Sequence, residues 1–321
     1  MPTVRRTTGT VDGLLLVYKP AGVSSHDVVS VARRALGEKR IGHGGTLDPF
    51  ATGLLVLLVG RATRLLPHLP GNPKVYEALI RFGAETETED LDGAVSLEAP
   101  LPTRGALLDA LPALTGSIQQ VPPAYSAKRV DGRRAYEMAR AGEVVELKPV
   151  TIRVDRWEVL ALQDADGALL DESAARATEV REARVRISCG AGTYVRALAR
   201  DLARLAQSAA HLRELRRVSS GPFRVEHALT VQDLTEGKAR LQPALAALPG
   251  VPVQQLSEEE LARIVRGIEV PATVEGTWGS LTNPEQGALV ALAERRGDRW
   301  QPRVVMHEVE SSAKAGGRRE A

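Results

Sequence analysis

Between residues 42 and 49 the chain reads Gly-His-Gly-Gly-Thr-Leu-Asp-Pro. Three glycines and a proline in eight positions exclude a helix interior or a central strand, since glycine costs backbone entropy and proline removes a donor. The stretch must be a shaped loop, and its neighbours must be rigid enough to hold it. Leu54 to Val59, just after it, is a continuous apolar run ended by Gly60 and reads as a buried strand. Gly13 to Tyr18 is a second such run, closed by Lys19-Pro20. Ser24-Ser25-His26-Asp27 then opens an apolar-periodic segment through Val28, Val31, Ala32 and Ala35 that stops at Gly37. Ser24 with Asp27 fits a capping box, and Gly37 is a natural helix stop. The opening order is strand, helix, loop, strand.

Further on the period changes. Tyr76, Ala78, Ile80 and Phe82 alternate with Val75, Glu77, Leu79 and Arg81, the pattern of a half-buried strand. Ala183, Val185, Ile187 and Cys189 alternate with Arg184, Arg186 and Ser188, the cleanest strand signal in the chain. Gly190-Ala191-Gly192-Thr193 turns into a helix from about Tyr194 to Gln207, with Leu198, Leu202 and Leu205 facing a core. Arg196, Arg200 and Arg204 recur every four residues on another face. Glu85 to Asp92 carries five acidic residues and reads as a polar loop. Leu107 to Leu114 and Ala135 to Ala141 read as short helices, and Pro122 to Ser126 as extended chain. Leu241 to Val253, with three prolines and a glycine, reads as a linker. Beyond it come a helix over Glu258 to Arg266 and short strands at Gly287 to Ala293 and Arg303 to His307. Strands and helices do not alternate regularly, so the expected class is α+β rather than doubly wound.

A chain of 321 residues has room for roughly two domains. Its 42 basic and 40 acidic residues nearly balance, so partners must be argued from where charges sit. The single cysteine, Cys189, excludes a disulfide framework and any cysteine-rich metal site. The six histidines lack metal-ligand spacing. There is no phosphate loop, dinucleotide fingerprint or serine-nucleophile elbow. Met1 to Thr10 has no apolar signal-peptide core, and the longest apolar run falls far short of the ~20 residues of a membrane helix. The expected location is the cytoplasm.

What remains is the loop around Asp48. A carboxylate held between glycines and a proline can be presented to a cleft at low reorganisation cost, and carboxylates attack sugar anomeric carbons. A turn aspartate bonded to its own backbone would look the same in sequence. Between Arg181 and Arg217 lie nine arginines against three acidic residues, and Tyr125 to Arg140 holds five basic residues. Segregated basic patches in a near-neutral chain fit contact with RNA or DNA phosphate, though a solvated ion-paired helix face would also produce the stripe. With Thr193 as N-cap, Arg196 would stand in the first helical turn, where a cation opposes the helix dipole unless an anion such as Asp48 meets it. Tyr76 could simply be a core tyrosine.

Taken together, these stretches resemble the TruB-type bacterial tRNA pseudouridine synthases, over about Gly13 to Phe223 and more weakly beyond. The resemblance is carried by Gly13 to Pro20, Gly42 to Gly53, Lys74-Val75-Tyr76, and the Thr86-x-Thr88-x-Asp90 loop closed by Gly93. It continues through Pro122 to Ala127, Gly192 to Arg196, and Leu215-Arg216-Arg217. It implies a central mixed, mostly antiparallel sheet with flanking helices and a cleft across it. Residues 1–245 would form the catalytic domain and 251–310 a small β-rich PUA-like RNA-binding domain, followed by a disordered tail at 311–321. It also implies isomerisation of the uridine at tRNA position 55, in the T loop, by a monomer needing no cofactor or metal. Asp48 would be the catalytic carboxylate meeting a flipped nucleotide. Tyr76 would stack on the base and help remove a proton, and Arg196 would pair with Asp48. Leu215 would pack against the base and His43 would fill the space it leaves. Tyr194, Arg129, Arg216 and Arg217 would be further substrate contacts. Flipping costs a few kcal/mol, which a stacking aromatic and basic grooves would offset.

Three positions depart from the family pattern: Gly44 stands for threonine, Arg129 for lysine and Ala191 for lysine. Two alternatives stay open here, a tRNA-binding chaperone without catalysis and a guide-dependent enzyme acting on ribosomal RNA.

Overall fold

The computed structural model describes residues 12–126, 128–130, 133–134, 136, 138, 143 and 147–306. Among them an eleven-stranded sheet dominates. Its main path runs Leu169–Leu170, Val150–Gln163, Glu182–Cys189, Lys74–Phe82, Ala210–Ser220, Thr52–Val59, Gly13–Lys19, Leu229–Thr230. Neighbours are antiparallel except at two places, where Thr52–Val59 meets Ala210–Ser220 and where Gly13–Lys19 meets Leu229–Thr230. The sheet is mixed and mostly antiparallel, as expected.

The two kinds of apolar pattern in the sequence report how each half of this sheet is covered. Leu15, Val17, Leu55 and Leu57 pack on Val28, Val29 and Ala32 of the helix Ser25–Leu36. Leu14, Leu16, Leu54 and Val56 face the other way, into a core that includes Phe223, Leu292, Val304 and Met306. Both faces are dry, so these strands read as unbroken apolar runs. In the other half Ala78, Ile80, Val185 and Ile187 lie under Leu198 and Leu202 of the helix Val195–Leu205. The opposite face there carries Glu77, Arg184, Arg186 and Glu214 toward water, which produces the alternation. Truncating a fully buried aliphatic such as Ile187 to Ala would cost about 2–5 kcal/mol.

Local chemistry ends the first helix where expected. Ser24 accepts from Asp27 N, Asp27 answers Ser24 N, and Gly37 sits in the left-handed region at φ 65°. Such a cap contributes ~1 kcal/mol.

A second, five-stranded sheet is ordered Val253–Gln255, Trp278–Thr282, Leu289–Arg296, Arg299–Val305, Val270–Pro271, with the helix Glu258–Val265 against it. Its centre is Trp300, fully buried, whose Nε1 donates to Gln254 Oε1 at 2.7 Å. The two sheets share a core, and His68 meets Trp278 edge-on at 5.0 Å.

Several expectations need correction. Leu241 to Val253 is no loose linker: Gln242 exchanges backbone hydrogen bonds with Leu14, and Ala247 and Leu248 are buried. Prolines there punctuate a packed segment. The acidic stretch Glu85 to Asp92 is not a solvated loop, since Glu85, Thr86, Glu89 and Asp90 are all buried. Leu205 is 52% exposed rather than core. The helix expected over Leu107 to Leu114 is Arg104–Ala110 followed by a 3-10 turn. Val150–Gln163 and Ala210–Ser220 are long strands that the sequence pattern concealed, because bulges shift their register and break the period of two. Most of the helix expected over Ala135 to Ala141, the strand end at His307 and the tail 311–321 lie outside the described residues.

Candidate active site

The glycine-rich loop is pinned from three sides. Ser25 Oγ donates to Leu47 O at 3.0 Å and accepts from Leu47 N at 2.8 Å. Lys19 Nζ, fully buried, donates to the carbonyls of Pro20, Val23 and Pro49 at 2.9, 2.7 and 3.0 Å. Arg217 donates to Leu54 O at 2.8 Å, Gly45 O at 3.0 Å and Thr46 O at 3.3 Å. Gly53, at φ 104°, lets this happen: a Cβ there would lie 2.3 Å from the Arg217 carbonyl oxygen. Gly44 is less constrained, because a Cβ there would meet only the Cδ1 methyl of Leu69, at 2.9 Å, which a side-chain shift can relieve. Ala51 N closes the turn onto Asp48 O at 3.1 Å. Asp48 is thereby presented on stiff backbone, with its side chain 36% exposed.

Arg196 meets it from the helix Val195–Leu205. Nε donates to Asp48 Oδ2 at 3.0 Å, Nη1 to Thr88 O at 2.6 Å and Nη2 to Tyr125 O at 2.9 Å. Asp90 Oδ2 stands 3.6 Å from Nη1. The arginine side chain is 4% exposed. The N-cap is Tyr194 rather than Thr193, and no side chain of its own caps the helix. The buried Gln120 does this work: Tyr194 N donates to its Oε1 at 2.9 Å and its Nε2 donates to Tyr194 O at 3.1 Å. Arg196 is therefore the second helical residue. The anion needed to offset the dipole comes from Asp48 and Asp90.

Asp48 and Arg196 line a cavity of about 800 Å³, together with Tyr76, Leu215, His43 and Tyr194. Strand register explains the grouping. Tyr76 is paired with Arg217 and Ala78 with Leu215, so these side chains emerge on one face, beside the loop. Burial pushes the Tyr76 phenol above its ordinary pKa, and a hydrogen bond and charge from Arg217 offset this in part. The phenol is neutral at physiological pH, suited to stacking and handicapped as a proton acceptor. Burial, with Arg217 and His26 nearby, lowers the His43 pKa and favours the neutral ring. Its Nδ1 is buried without a partner among the described residues.

The arginine-rich region behaves differently from the phosphate-binding patch suggested by its composition. Arg200 donates to Glu89 Oε1 at 2.5 Å and Val121 O at 2.9 Å, and Arg204 makes a two-pronged contact with Glu85 at 2.8 Å for each bond. The stripe is thus an ion-pair ladder to the buried acidic segment. On the open sheet face Arg184 pairs with Glu214 and Arg186 with Glu77 and Glu158. Arg217, expected to touch substrate, is buried and spends its donors on loop carbonyls, so it positions Asp48's loop. Arg216 is exposed and has no ion pair among the described residues. Arg129 lies in a two-residue strand, and its side chain is outside the described residues.

Sequence reading missed Lys19, Gln120 and Asp90 as parts of the site. Lys19 had a signal, a lysine ending an otherwise buried apolar run. Burial pulls its pKa down to about 8; Asp48 opposes that shift, while Arg217 adds to it. Gln120 had none, since its role depends on a helix distant in sequence.

Residues 33–195 match the model of the TruB family pseudouridylate synthase N-terminal domain, and residues 196–270 the tRNA pseudouridylate synthase B C-terminal domain. The chain is 43% identical over 300 residues to a protein named tRNA pseudouridine synthase B from Thermobifida fusca, covering 92% of this chain and 98% of that one. It is 41% identical over 306 residues to the protein of the same name from an Arthrobacter species, covering 92% and 96%. Among solved structures, an H/ACA RNP bound to a substrate RNA containing 2′-deoxyuridine has a chain of similar fold. The TM-score is 0.63 at 22% identity, over 92% of this chain and 85% of that one.

Proposed function

The chain belongs to the TruB family of pseudouridylate synthases, and from that premise we propose that it converts the uridine at position 55 of the tRNA T loop to pseudouridine, with Asp48 as the catalytic carboxylate. The general activity, pseudouridine synthesis in tRNA, is the one its relatives carry in their names. The reaction breaks the N1–C1′ bond and forms C5–C1′; C5 loses a proton and N1 gains one. Atoms and electrons are conserved, so the site must hold, turn and deprotonate a base rather than oxidise it.

The observation carrying the proposal is the Asp48–Arg196 pair in the wall of a cavity that also offers Tyr76 and Leu215. Arg196 holds one carboxylate oxygen, Oδ2. The Asp48 carboxylate meets the sugar of a nucleotide that has left its stack. It acts there at C1′ or on the C2′ proton, and either use needs a carboxylate held in one place, which the hydrogen bond from Arg196 provides. Tyr76 and Leu215 would sandwich the base, offsetting part of the unstacking cost. His43 would occupy the vacated space in the RNA loop. Tyr194, Arg129 and Arg216 are the further RNA contacts. Residues 1–245 carry the chemistry, and 251–310 form a small PUA-like domain that holds the rest of the RNA. The enzyme works as a monomer in the cytoplasm; among the described residues no helix is long and apolar enough to cross a membrane.

Incubation with an unmodified T-stem-loop transcript, followed by mapping of pseudouridine, tests this. Wild-type protein should modify position 55 without a guide RNA. Asp48→Asn should bind the transcript about as well and leave it unmodified. An unmodified transcript with wild type would refute the position and substrate; normal turnover by Asp48→Asn would refute the carboxylate's role.

A further inference from the structure

Glu89 combines three unfavourable features. Its backbone sits at φ 61°, in the left-handed region that non-glycine residues avoid. Its side chain is buried, and Oε2 has no partner among the described residues. Desolvation raises its pKa despite Arg200. Backbone strain and a half-satisfied buried carboxylate persist only where surrounding contacts over-determine them. Those contacts come from the helix that carries Arg196. Arg200, one turn on, reaches Glu89 Oε1 at 2.5 Å and is itself held by Asp201 Oδ1 at 2.9 Å. Arg204, a further turn on, grips Glu85. Glu89 O also accepts from Leu212 N at 3.1 Å, tying the turn to the strand that bears Leu215.

The turn so fixed supplies Arg196 with two of its partners, Thr88 O and Asp90. Glu89 stands between them in the chain. We propose that the Arg200–Glu89 pair is a positioning device: it holds the Thr88–Asp90 turn so that Arg196 presents Asp48 to the nucleotide. Neither residue touches the cavity, and each acts through Arg196. The inference rests on the pseudouridine synthase reading of the site.

Steady-state kinetics on the T-stem-loop with Glu89→Gln, Arg200→Lys and a control, Glu182→Gln, tests it. Glu182 accepts from Arg81 at 2.9 Å and Arg213 at 2.6 Å, far from the cavity wall. Glu89→Gln should lower kcat about tenfold or more while KM stays within about twofold, because sub-ångström misplacement of a reacting group costs rate and not affinity. Arg200→Lys, which keeps the charge, should fall between it and wild type. Glu182→Gln should lower Tm with kcat unchanged. The proposal is overturned if Glu89→Gln lowers Tm as the control does and leaves kcat alone, or if KM rises instead of kcat falling. Should Glu89→Gln fail to fold, Arg200→Lys decides by the same kcat criterion. Failure of wild type to modify the transcript would instead reject the underlying function.

Discussion

Replacing Arg196 by lysine keeps the charge and removes the fork. The guanidinium makes three hydrogen bonds of 3.0 Å or less, to Asp48, Thr88 O and Tyr125 O, and faces Asp90 at 3.6 Å. One ammonium on a flexible stem cannot occupy those positions together. Losing two buried hydrogen bonds that involve a charged donor, at about 1.5 kcal/mol each, predicts a stability loss of about 3 kcal/mol. Most domains of this kind tolerate that loss and remain folded. The chemical consequence should be larger: if Asp48 is displaced by an ångström, kcat falls about 100-fold. Arg184→Lys is the reference for a surface pair. Its contact with Glu214 has both side chains substantially exposed (44% and 58%), so about 0.5 kcal/mol or less is expected. Urea melts give the two stabilities, and single-turnover rates on a T-stem-loop give the chemistry. Equal destabilisation by the two substitutions, or a rate for Arg196→Lys within about twofold of wild type, would refute the account of Arg196.

Lys19 yields a pH prediction. Its folded pKa is about 8 against 10.5 for a free lysine, so between these values the unfolded chain binds more protons and stability should rise with pH; below about pH 8 both states are protonated and the penalty is constant. Tm measured from pH 7.5 to 10 should climb relative to Lys19→Met, and parallel curves would count against a buried charged lysine. Gly53→Ala should destabilise by at least about 2 kcal/mol in thermal or denaturant melts, since the new Cβ meets the Arg217 backbone and the φ of 104° is strained. A neutral result would mean that loop and strand separate more easily than their pairing suggests. Arg216→Ala should weaken RNA binding and flatten the slope of log K against log salt by about 0.7 to 0.9, the release of one counterion, with kcat unchanged; an unaltered slope would remove Arg216 from the RNA interface.

How much of this was legible depended on whether a residue's partner lay nearby in sequence. Ser24, Asp27 and Gly37 define their twelve-residue helix from positions in or next to it, and both ends are where the capping chemistry places them. The unbroken run Leu54 to Val59 and the alternation over Ala183 to Cys189 each state how many faces of a strand are dry, and the sheet agrees in both halves. The Asp48 loop declared itself by glycine and proline density. Gln120 did not: a glutamine is unremarkable until a helix N-terminus arrives beside it. Nor did the acidic segment, whose charge mimics a solvated loop. Its burial is legible only once the matching arginines on the helix Val195–Leu205 are placed against it.

That pairing changes what arginine content means here. Counted along the chain, the stretch from Arg181 to Arg217 is strongly cationic and invites a nucleic-acid reading. In space, Arg184, Arg186, Arg196, Arg200, Arg204 and Arg213 each meet a carboxylate, and Arg217 meets carbonyls. Of these, Arg196, Arg200, Arg204 and Arg217 fix the turn and the loop that carry Thr88, Asp90 and Asp48, while Arg184, Arg186 and Arg213 form ion pairs on the open sheet face. A base that must detach, rotate and rejoin needs a site that does not move while it does so, and multidentate guanidinium contacts provide rigidity that a solvated patch of lysines would lack. The local positive count therefore supports catalysis through preorganisation, while Arg216, turned by its register with Glu77 to the sheet face opposite Tyr76 and Leu215, is exposed and has no ion pair among the described residues.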